Sequence, residues 1–371
     1  MKRILVTGGA GFIGSHLADE LLQHGYRVRV LDNLSAQVHG PQQRRPSYLI
    51  PDVELVAGDI RNPEAVRKAL EGVEAVYHLV AIVGVGQSMY ELVRYTDVNN
   101  LGTAVLLEAL IERPVERLIV ASSMSIYGEG LYVEAGGRAV DGVRRTVEQL
   151  RHGNWEPRGP NGERLTPVAT PESKAPALES VYALTKYDQE RISLMVGRAY
   201  GIDVVALRLF NTYGPRQALS NPYTGVLAIF ASRLLNGNHP LLYEDGLQQR
   251  DFVNVADVVR AFLLALESRS AVGHAVNVGS GRPHTIRDVA ERVALAVGKA
   301  RLGPELTGSS RVGDVRHCFA DIGAARRLLG YEPRIDFDEG LRELGAWLQG
   351  QVPRDRVAEA RVELETRGLT L

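Results

Sequence analysis

A chain of 371 residues, 45% hydrophobic and 23% charged, can bury one large core or two joined ones and has the make-up of a soluble globular protein. Its 43 Lys plus Arg against 44 Asp plus Glu leave a net charge of −1, so no global basic field recruits nucleic acid or an anionic membrane, and small-molecule partners are expected. The single cysteine, Cys318, excludes an internal disulfide and suits a reducing compartment; with no room for a signal peptide and no apolar run long enough to cross a bilayer, a cytoplasmic protein is expected.

The first strand, residues 4–6, runs into Thr7-Gly8-Gly9-Ala10-Gly11-Phe12-Ile13-Gly14, and helical periodicity begins at 13–23. Strands at 27–31, 53–56, 75–79 and 118–121 then alternate with helices at 63–70 and 95–110, the pattern of a doubly wound parallel sheet. Residues 128–176 are rich in Gly and Pro. There Val143, Val147 and Leu150 predict one short amphipathic helix, and the remainder reads as loop. Its place between two catalytic candidates suggests a pocket wall or lid, stiffened by Pro157, Pro160, Pro167, Pro171 and Pro176. A helix at 182–200, a strand at 204–209 and helices at 226–235, 255–266 and 286–296 follow. The charged stretch after Pro353 reads either as helix or as loose chain.

Gly8, Gly11 and Gly14 let the backbone turn sharply and approach a pyrophosphate, while the helix that opens at Phe12 and Ile13 points free N–H groups at it. Asp32-Asn33 ends the second strand, where an acid can accept both hydroxyls of an adenosine ribose and repel a 2′-phosphate, which favours NAD over NADP. A solvated loop acid is the plainer reading of Asp32. Tyr182 and Lys186 stand at i and i+4, on one helix face. A phenol titrates near 10, roughly, and needs a nearby cation to accept a proton at neutral pH. Ser122, Ser123 and Ser125 follow a parallel strand at its carboxyl end, facing the crevice or merely ending the strand. Arg208, Arg216, Arg250 and Arg311, the last with Asp314, would suit a diphosphate if they converge, and singly would be surface ion pairs. The nine histidines show no metal-ligand spacing, so no metal is expected.

With these residues in order, the chain resembles the extended short-chain dehydrogenase/reductase superfamily, in its NAD-dependent nucleotide-sugar epimerase/dehydratase branch, over residues 2–348. Further signposts are Gly58-Asp59-Ile60, His78-Leu79-Val80-Ala81, Asn99-Asn100-Leu101-Gly102-Thr103, Phe210-Asn211-Thr212-Tyr213-Gly214-Pro215-Arg216 and Arg250-Asp251-Phe252-Val253. The resemblance implies a Rossmann-type sheet with a smaller C-terminal α/β domain. It divides the chain into an NAD-binding part, 1–210, carrying the 128–176 insertion, a mainly nucleotide-sugar-binding part, 211–350, and a tail, 351–371. It further implies that Asp59 and Ile60 border the adenine and that Leu79, Asn99 and Phe210 line the cofactor cleft. Ser123, Tyr182 and Lys186 would be catalytic; Asn211, Arg216, Arg250, Arg311 and Asp314 would hold the nucleoside diphosphate, with Ser88 and Ser125 near the sugar.

Met124-Ser125 follows Ser123 where the related 4,6-dehydratases carry an Asp-Glu pair, so dehydration is disfavoured. The insertion is longer than in galactose 4-epimerases and is similar to that of dTDP-rhamnose 4-epimerases. The activity implied is an NAD-dependent 4-epimerase of a dTDP- or UDP-hexose, through a 4-keto intermediate. A 4-ketoreductase or dehydrogenase, a 4,6-dehydratase, or a non-catalytic NAD- or nucleotide-sensing protein remain alternatives. A homodimer is also implied, through a four-helix bundle of the helices at 95–110 and 182–200, with Val105, Leu194 and Val196 facing outward.

Overall fold

A computed structural model describes residues 2–370; Met1 and Leu371, the outermost positions of the expected domain ranges, lie outside it. Seven strands form one parallel sheet in the order Ala275–Val278, Asp203–Leu209, Arg117–Ser123, Ala75–His78, Arg3–Thr7, Arg27–Asp32, Glu54–Ala57. Ile4, Leu5 and Val6 are each wholly buried, because helices cover both faces of the sheet, and this is why the strands read as continuous apolar runs. The strand order reverses between Arg3–Thr7 and Ala75–His78, which opens a crevice at their carboxyl ends.

The helix Phe12–Gln23 starts directly after the glycine turn, and Pro63–Ala69 starts on an Asn62 cap with proline in its first turn. The expected helix at 95–110 is instead three pieces: Leu92–Tyr95, a π-helical turn Thr96–Leu101, and Gly102–Glu112. Val181–Tyr200 is capped by the Ser180 hydroxyl and stopped by Gly201 in a left-handed conformation. Its face at 184 and 195 leaves Leu184 and Met195 half exposed, as is Leu101. Of Val105, Leu194 and Val196, expected outside, Leu194 is buried in the core between sheet and helices and the other two are partly buried against it. Leu194 and Val196 lie about 100° to either side of Met195 around the helix, a little over a quarter of a turn from the exposed face.

The sheet does not end at residue 210. Helix Val255–Glu267 packs on one of its faces, and strand Ala275–Val278, too short and glycine-flanked for a periodicity signal, pairs with Asp203–Leu209. A smaller sheet joins Asn211–Tyr213, Gln249–Asn254, Pro283–Thr285 and His317–Cys318. Helices Val226–Leu235, Ile286–Ala296 and Phe337–Leu348 enclose its own apolar core around Tyr213, Phe252 and Phe337. Among the described residues no helix is long and apolar enough to cross a membrane.

The insertion is folded: Leu131–Val133, Ala139–Val140 and Thr166–Val168 form an antiparallel sheet beside the helix Val147–Arg151. Strands of two or three residues carry no alternation to read. What fixes them is charge. Arg316, fully buried, bridges Glu156 at 2.6 Å, Glu244 at 2.8 Å and Asp245 at 2.6 Å, while Arg145 joins Glu129 at 3.2 Å and Glu244 at 2.6 Å. A hydrogen bond from His317, then Arg316, holds the Glu156 carboxyl down to about 2.

Removing one partner of a buried ionic cluster strands the others, so Arg316→Met is expected to cost about 3–5 kcal/mol and to lower the thermal midpoint in scanning calorimetry. The Glu156 contribution is present above its unfolded value of 4.5 and fades as pH falls toward about 2, so the wild type should lose its advantage over Arg316→Met in that acid window. A variant within about 1 kcal/mol of wild type at neutral pH would show the cluster is solvated.

Candidate functional site

The glycine turn sits at the reversal of the strand order. Gly8, at φ +69°, donates its N–H to Leu31 O at 2.8 Å, and a Cβ there would lie 3.0 Å from the Val80 backbone. A Cβ on Gly14 would stand 2.5 Å from Gly8 O and Gly9 Cα. Only glycines permit this approach. The helix that follows has no side-chain cap at Gly11, so its first N–H groups face the crevice.

Asp32 is buried, and each carboxylate oxygen takes a backbone N–H: Oδ2 from Ala10 at 3.0 Å, Oδ1 from Leu34 at 2.9 Å. It therefore locks the glycine turn to the end of the second strand and is no solvated acid. Gly8, Gly11, Phe12, Ile13, Gly14, Asp32, Asn33, Leu79 and Phe210 all line a cavity of about 560 Å³ that ends at Ser123, Tyr182 and Lys186. Asp59 and Ile60 do not line it. The Asp59 carboxylate is held well below the usual range by the Arg61 guanidinium and also accepts from Asn33 at 3.1 Å, so Asn33 and Arg61 form that part of the wall. Ile60 is buried beneath Gly102.

Asn99, within the π-helical turn, is wholly buried one layer behind the wall. It accepts from Ile82 N at 2.8 Å and donates to Ile82 O at 3.1 Å and Thr185 Oγ1 at 3.0 Å, which shapes the 80–83 loop. Ser88 is likewise behind the wall: its hydroxyl accepts from Tyr182 N at 3.0 Å and donates to Val85 O at 2.7 Å, bonding the first turn of the helix Val181–Tyr200. Gln37, Arg94 and Asn221 line the cavity and belong to no motif, so nothing in the sequence marked them.

Tyr182 and Ser123 meet at the carboxyl end of the Arg117–Ser123 strand. Burial pushes the phenol above its ordinary value, and a hydrogen bond with Ser123 pulls it down. The Ser123 hydroxyl also bonds to Ser125 Oγ and accepts from Ser125 N, both at 3.1 Å. Lys186 donates to Gln189 Oε1 at 2.8 Å, and Gln189 in turn donates to Thr103 Oγ1 at 2.7 Å. Burial drives the Lys186 amine down to about 7, against the pull of Glu190.

A second cavity, about 310 Å³, adjoins the first; Asn211 and residues 224–226 line both. Both volumes suit small molecules. Ser125, Arg250, Arg311 and Asp314 line the second, as does Met124. Arg311 pairs with Asp314 at 2.8 Å and lies over the Tyr243 ring at 4.3 Å; Arg250 donates to the carbonyls of Gln249, Val315 and Arg316. The Asn211 amide oxygen is buried with no hydrogen-bond partner, an acceptor left open at the junction. Two arginines stand elsewhere. Arg208 is absorbed by Glu190 at 2.7 Å and Tyr127 OH at 2.8 Å, and Arg216 by Asp19 at 2.7 Å and the Tyr48 ring. Of residues 128–176 only Gly128 reaches the second cavity, so the insertion is not its lid; the ionic cluster draws it to the outer side of the 311–318 segment.

A family model described as NAD dependent epimerase/dehydratase matches residues 4–149 and 155–279. A dTDP-L-rhamnose 4-epimerase of Burkholderia thailandensis is 36% identical over 95% of this chain and 96% of its own. The UDP-glucose 4-epimerase of Thermus thermophilus, solved in complex with NAD, superposes with a TM-score of 0.74 at 34% identity, covering 94% of this chain and 100% of its own. That of Thermotoga maritima, solved with UDP-glucose, gives 0.75 at 32%, covering 94% and 98%.

The unfolded chain holds the Lys186 proton up to about 10.5 and the folded one only to about 7, so stability rises with pH across that window and the cost of charging the amine is present in full below it. In protein stripped of nucleotide, Lys186→Met is therefore expected to raise stability by about 2 kcal/mol at neutral pH, and the gain should shrink as pH approaches 10. Calorimetry at several pH values checks this; an unchanged or lowered midpoint near neutrality would mean that the folded chain compensates the charge.

Proposed function

The chain belongs to the NAD dependent epimerase/dehydratase family, and from that premise we propose that it is a nucleotide-sugar 4-epimerase acting on a dTDP- or UDP-hexose with NAD as its cofactor. The observation that carries this reading is the meeting of Ser123, Tyr182 and Lys186 where a glycine-bounded cavity joins an arginine-lined one. The first cavity fits NAD: Gly8, Gly11 and Gly14 form a cradle that any Cβ would fill, the helix start is uncapped, and Asp32 offers lone pairs to ribose hydroxyls. Phe12, Ile13, Leu79 and Phe210 supply its apolar walls, and Tyr182 and Lys186 would hold the nicotinamide ribose. When bound, NAD supplies reversible acceptance of the hydride from the sugar C4.

Tyr182 takes the proton of the sugar 4-hydroxyl and later returns it, and Ser123 hydrogen-bonds the same oxygen. Lys186 in its protonated form stabilises the phenolate. Arg250 and Arg311 would keep the diphosphate while the hexose turns between its two faces, and Asn211 offers its open acceptor. Met124 stands in the sugar cavity where loss of water needs an acid, so dehydration lacks its proton donor. A ketoreductase would differ in exchanging its cofactor each turnover.

Two finer points complete the reading. The one cysteine, buried with its thiol pushed up to about 12, suits a reducing, cytoplasmic setting. The half-exposed Leu101, Leu184 and Met195 support a homodimer in which the helices at 96–112 and 181–200 pair with their copies in a four-helix bundle.

Purified protein incubated with dTDP- and UDP-hexoses is expected to interconvert C4 epimers by NMR without added NAD, and Tyr182→Phe to lower kcat by about 10² or more with little change in affinity. A requirement for stoichiometric NADH would make it a reductase. Light scattering at micromolar concentration is expected to give a dimer mass, and Met195→Glu a monomer; a monomeric wild type would remove the bundle.

A further inference from the structure

The stretch after Pro353, which the sequence left open between helix and loose chain, crosses the sugar-side cavity. Val357, Ala360, Arg361 and Leu364, on one face of the helix Val357–Thr366, line that cavity together with Leu369. The outer face carries Glu359, Glu363 and the exposed Val362. The segment is fastened at three separated points. Asp355 accepts from Asn238 at 2.8 Å and Arg233 at 3.3 Å. Leu364 packs against Gly86, and the Arg367 guanidinium lies 4.4 Å over the Tyr90 ring. Val312 N donates to Leu369 O at 3.0 Å, one residue from Arg311. The Asp355–Arg233 pair is largely buried and holds the start of the segment, but only Ala360 and Leu364 of the helix are buried, so the helix is a strap that can lift while the core stays folded.

The cavity is lined by four arginines among the described residues. Arg233 is committed to His239 O and Asp355, and Arg250 to three backbone carbonyls. The other two, Arg311 and Arg361, pair with carboxylates of their own segments, Asp314 at 2.8 Å and Glu365 at 2.6 Å. Arg311 covers the Tyr243 ring, and Tyr243 is also close enough to Arg361 to act on it electrostatically. An exposed i,i+4 pair such as Arg361 with Glu365 is weak and easily exchanged, whereas a guanidinium forks onto phosphate oxygens.

We propose that Arg361 is a ligand of the substrate diphosphate, brought down onto it from the roof of the cavity by the strap at 355–370. It exchanges Glu365 for phosphate and grips the nucleotide opposite Arg311 while the hexose turns. This rests on the nucleotide-sugar reading above.

The test uses the full chain, with UDP and dTDP as calorimetric probes and the epimerisation assay alongside. Arg361→Ala is expected to raise the diphosphate Kd and the KM by about tenfold with kcat nearly unchanged, and Arg361→Lys to recover part of the loss. Val362→Ser, on the outer face, should match wild type. A chain ending at Arg354 should show the same KM-specific loss, with its bound NAD and thermal transition reporting that the core is folded. If wild type binds UDP or dTDP but Arg361→Ala stays within twofold in both Kd and KM, the strap inference is overturned and the nucleotide-sugar reading stands. If wild type binds neither diphosphate, that reading falls and the inference with it.

Discussion

The approach of Gly14 to the backbone of Gly8 and Gly9 is the constraint from which the rest of the site follows. With only 2.5 Å available where a Cβ would stand, the first helix begins directly on the turn instead of a side chain's width away. Its uncapped N–H groups consequently lie at the reversal of strand order, where the crevice is. Asp32 then ties the turn to the neighbouring strand through two backbone hydrogen bonds, so the carboxylate proposed to meet a ribose also holds the cradle in shape. Binding and architecture are one interaction here. A change at Asp32 cannot be read as a change in cofactor recognition alone.

Under Ser123, Tyr182 and Lys186 the charges are arranged in layers. Glu190 is neutralised by the Arg208 fork and also accepts from Ser122 Oγ at 2.7 Å, which fixes the helix against the strand that presents Ser123. Above this layer, Lys186 has among the described residues only the Gln189 amide as hydrogen-bond partner, and its amine is destabilised in its charged form. His78, pushed down to about 3 by burial and then by Lys186, is a neutral imidazole held between Thr7 and Thr103 and adds no compensating charge. The free chain thus stores an unfavourable lysine that an anionic ligand or a phenolate relieves. That is the ordinary opposition between stability and activity, localised to one amine.

The sheet, the glycine turn, Asp32 and the Tyr182/Lys186 pair were legible because each depends on neighbours close in sequence or on a periodicity that burial enforces. Residues that depend on distant partners were not. Arg208 looked like a phosphate ligand until Glu190 took its fork, and Ser88 looked like a sugar contact until the Tyr182 N–H claimed its oxygen. Asn99 has the polarity of a wall residue, but the wide turn at 96–101 swings it behind the Ile82 loop. Val105, Leu194 and Val196 were placed on an outer face by the family resemblance, whereas Leu194 is buried and the other two are partly buried against the same core. The insertion failed as a lid for an electrostatic reason. Glu156 and Arg145 have their opposite charges on the far side of the 311–318 segment, and pairing a buried charge outweighs any preference of a proline-rich loop.

That segment is where the unread parts of the sequence converge. On one side Arg316 and His317 are gripped by the insertion, and on the other the Val312 N–H is bonded to Leu369 of the strap, with Arg311 and Asp314 facing the cavity between them. The insertion contributes deeply buried ion pairs, which are costly to break and hold one end still. The strap contributes one backbone hydrogen bond, the Asp355 contacts with Arg233 and Asn238 at its start and the packing of Leu364, with no buried ion pair near Arg311 among the described residues. Arg311 thus stands on a side held firmly by the insertion, while any movement of the segment at 355–370 is taken up on the strap side without disturbing the fold. The long insertion and the strap therefore belong to a single device: the first fixes where Arg311 stands, and the second decides when the cavity around it is closed.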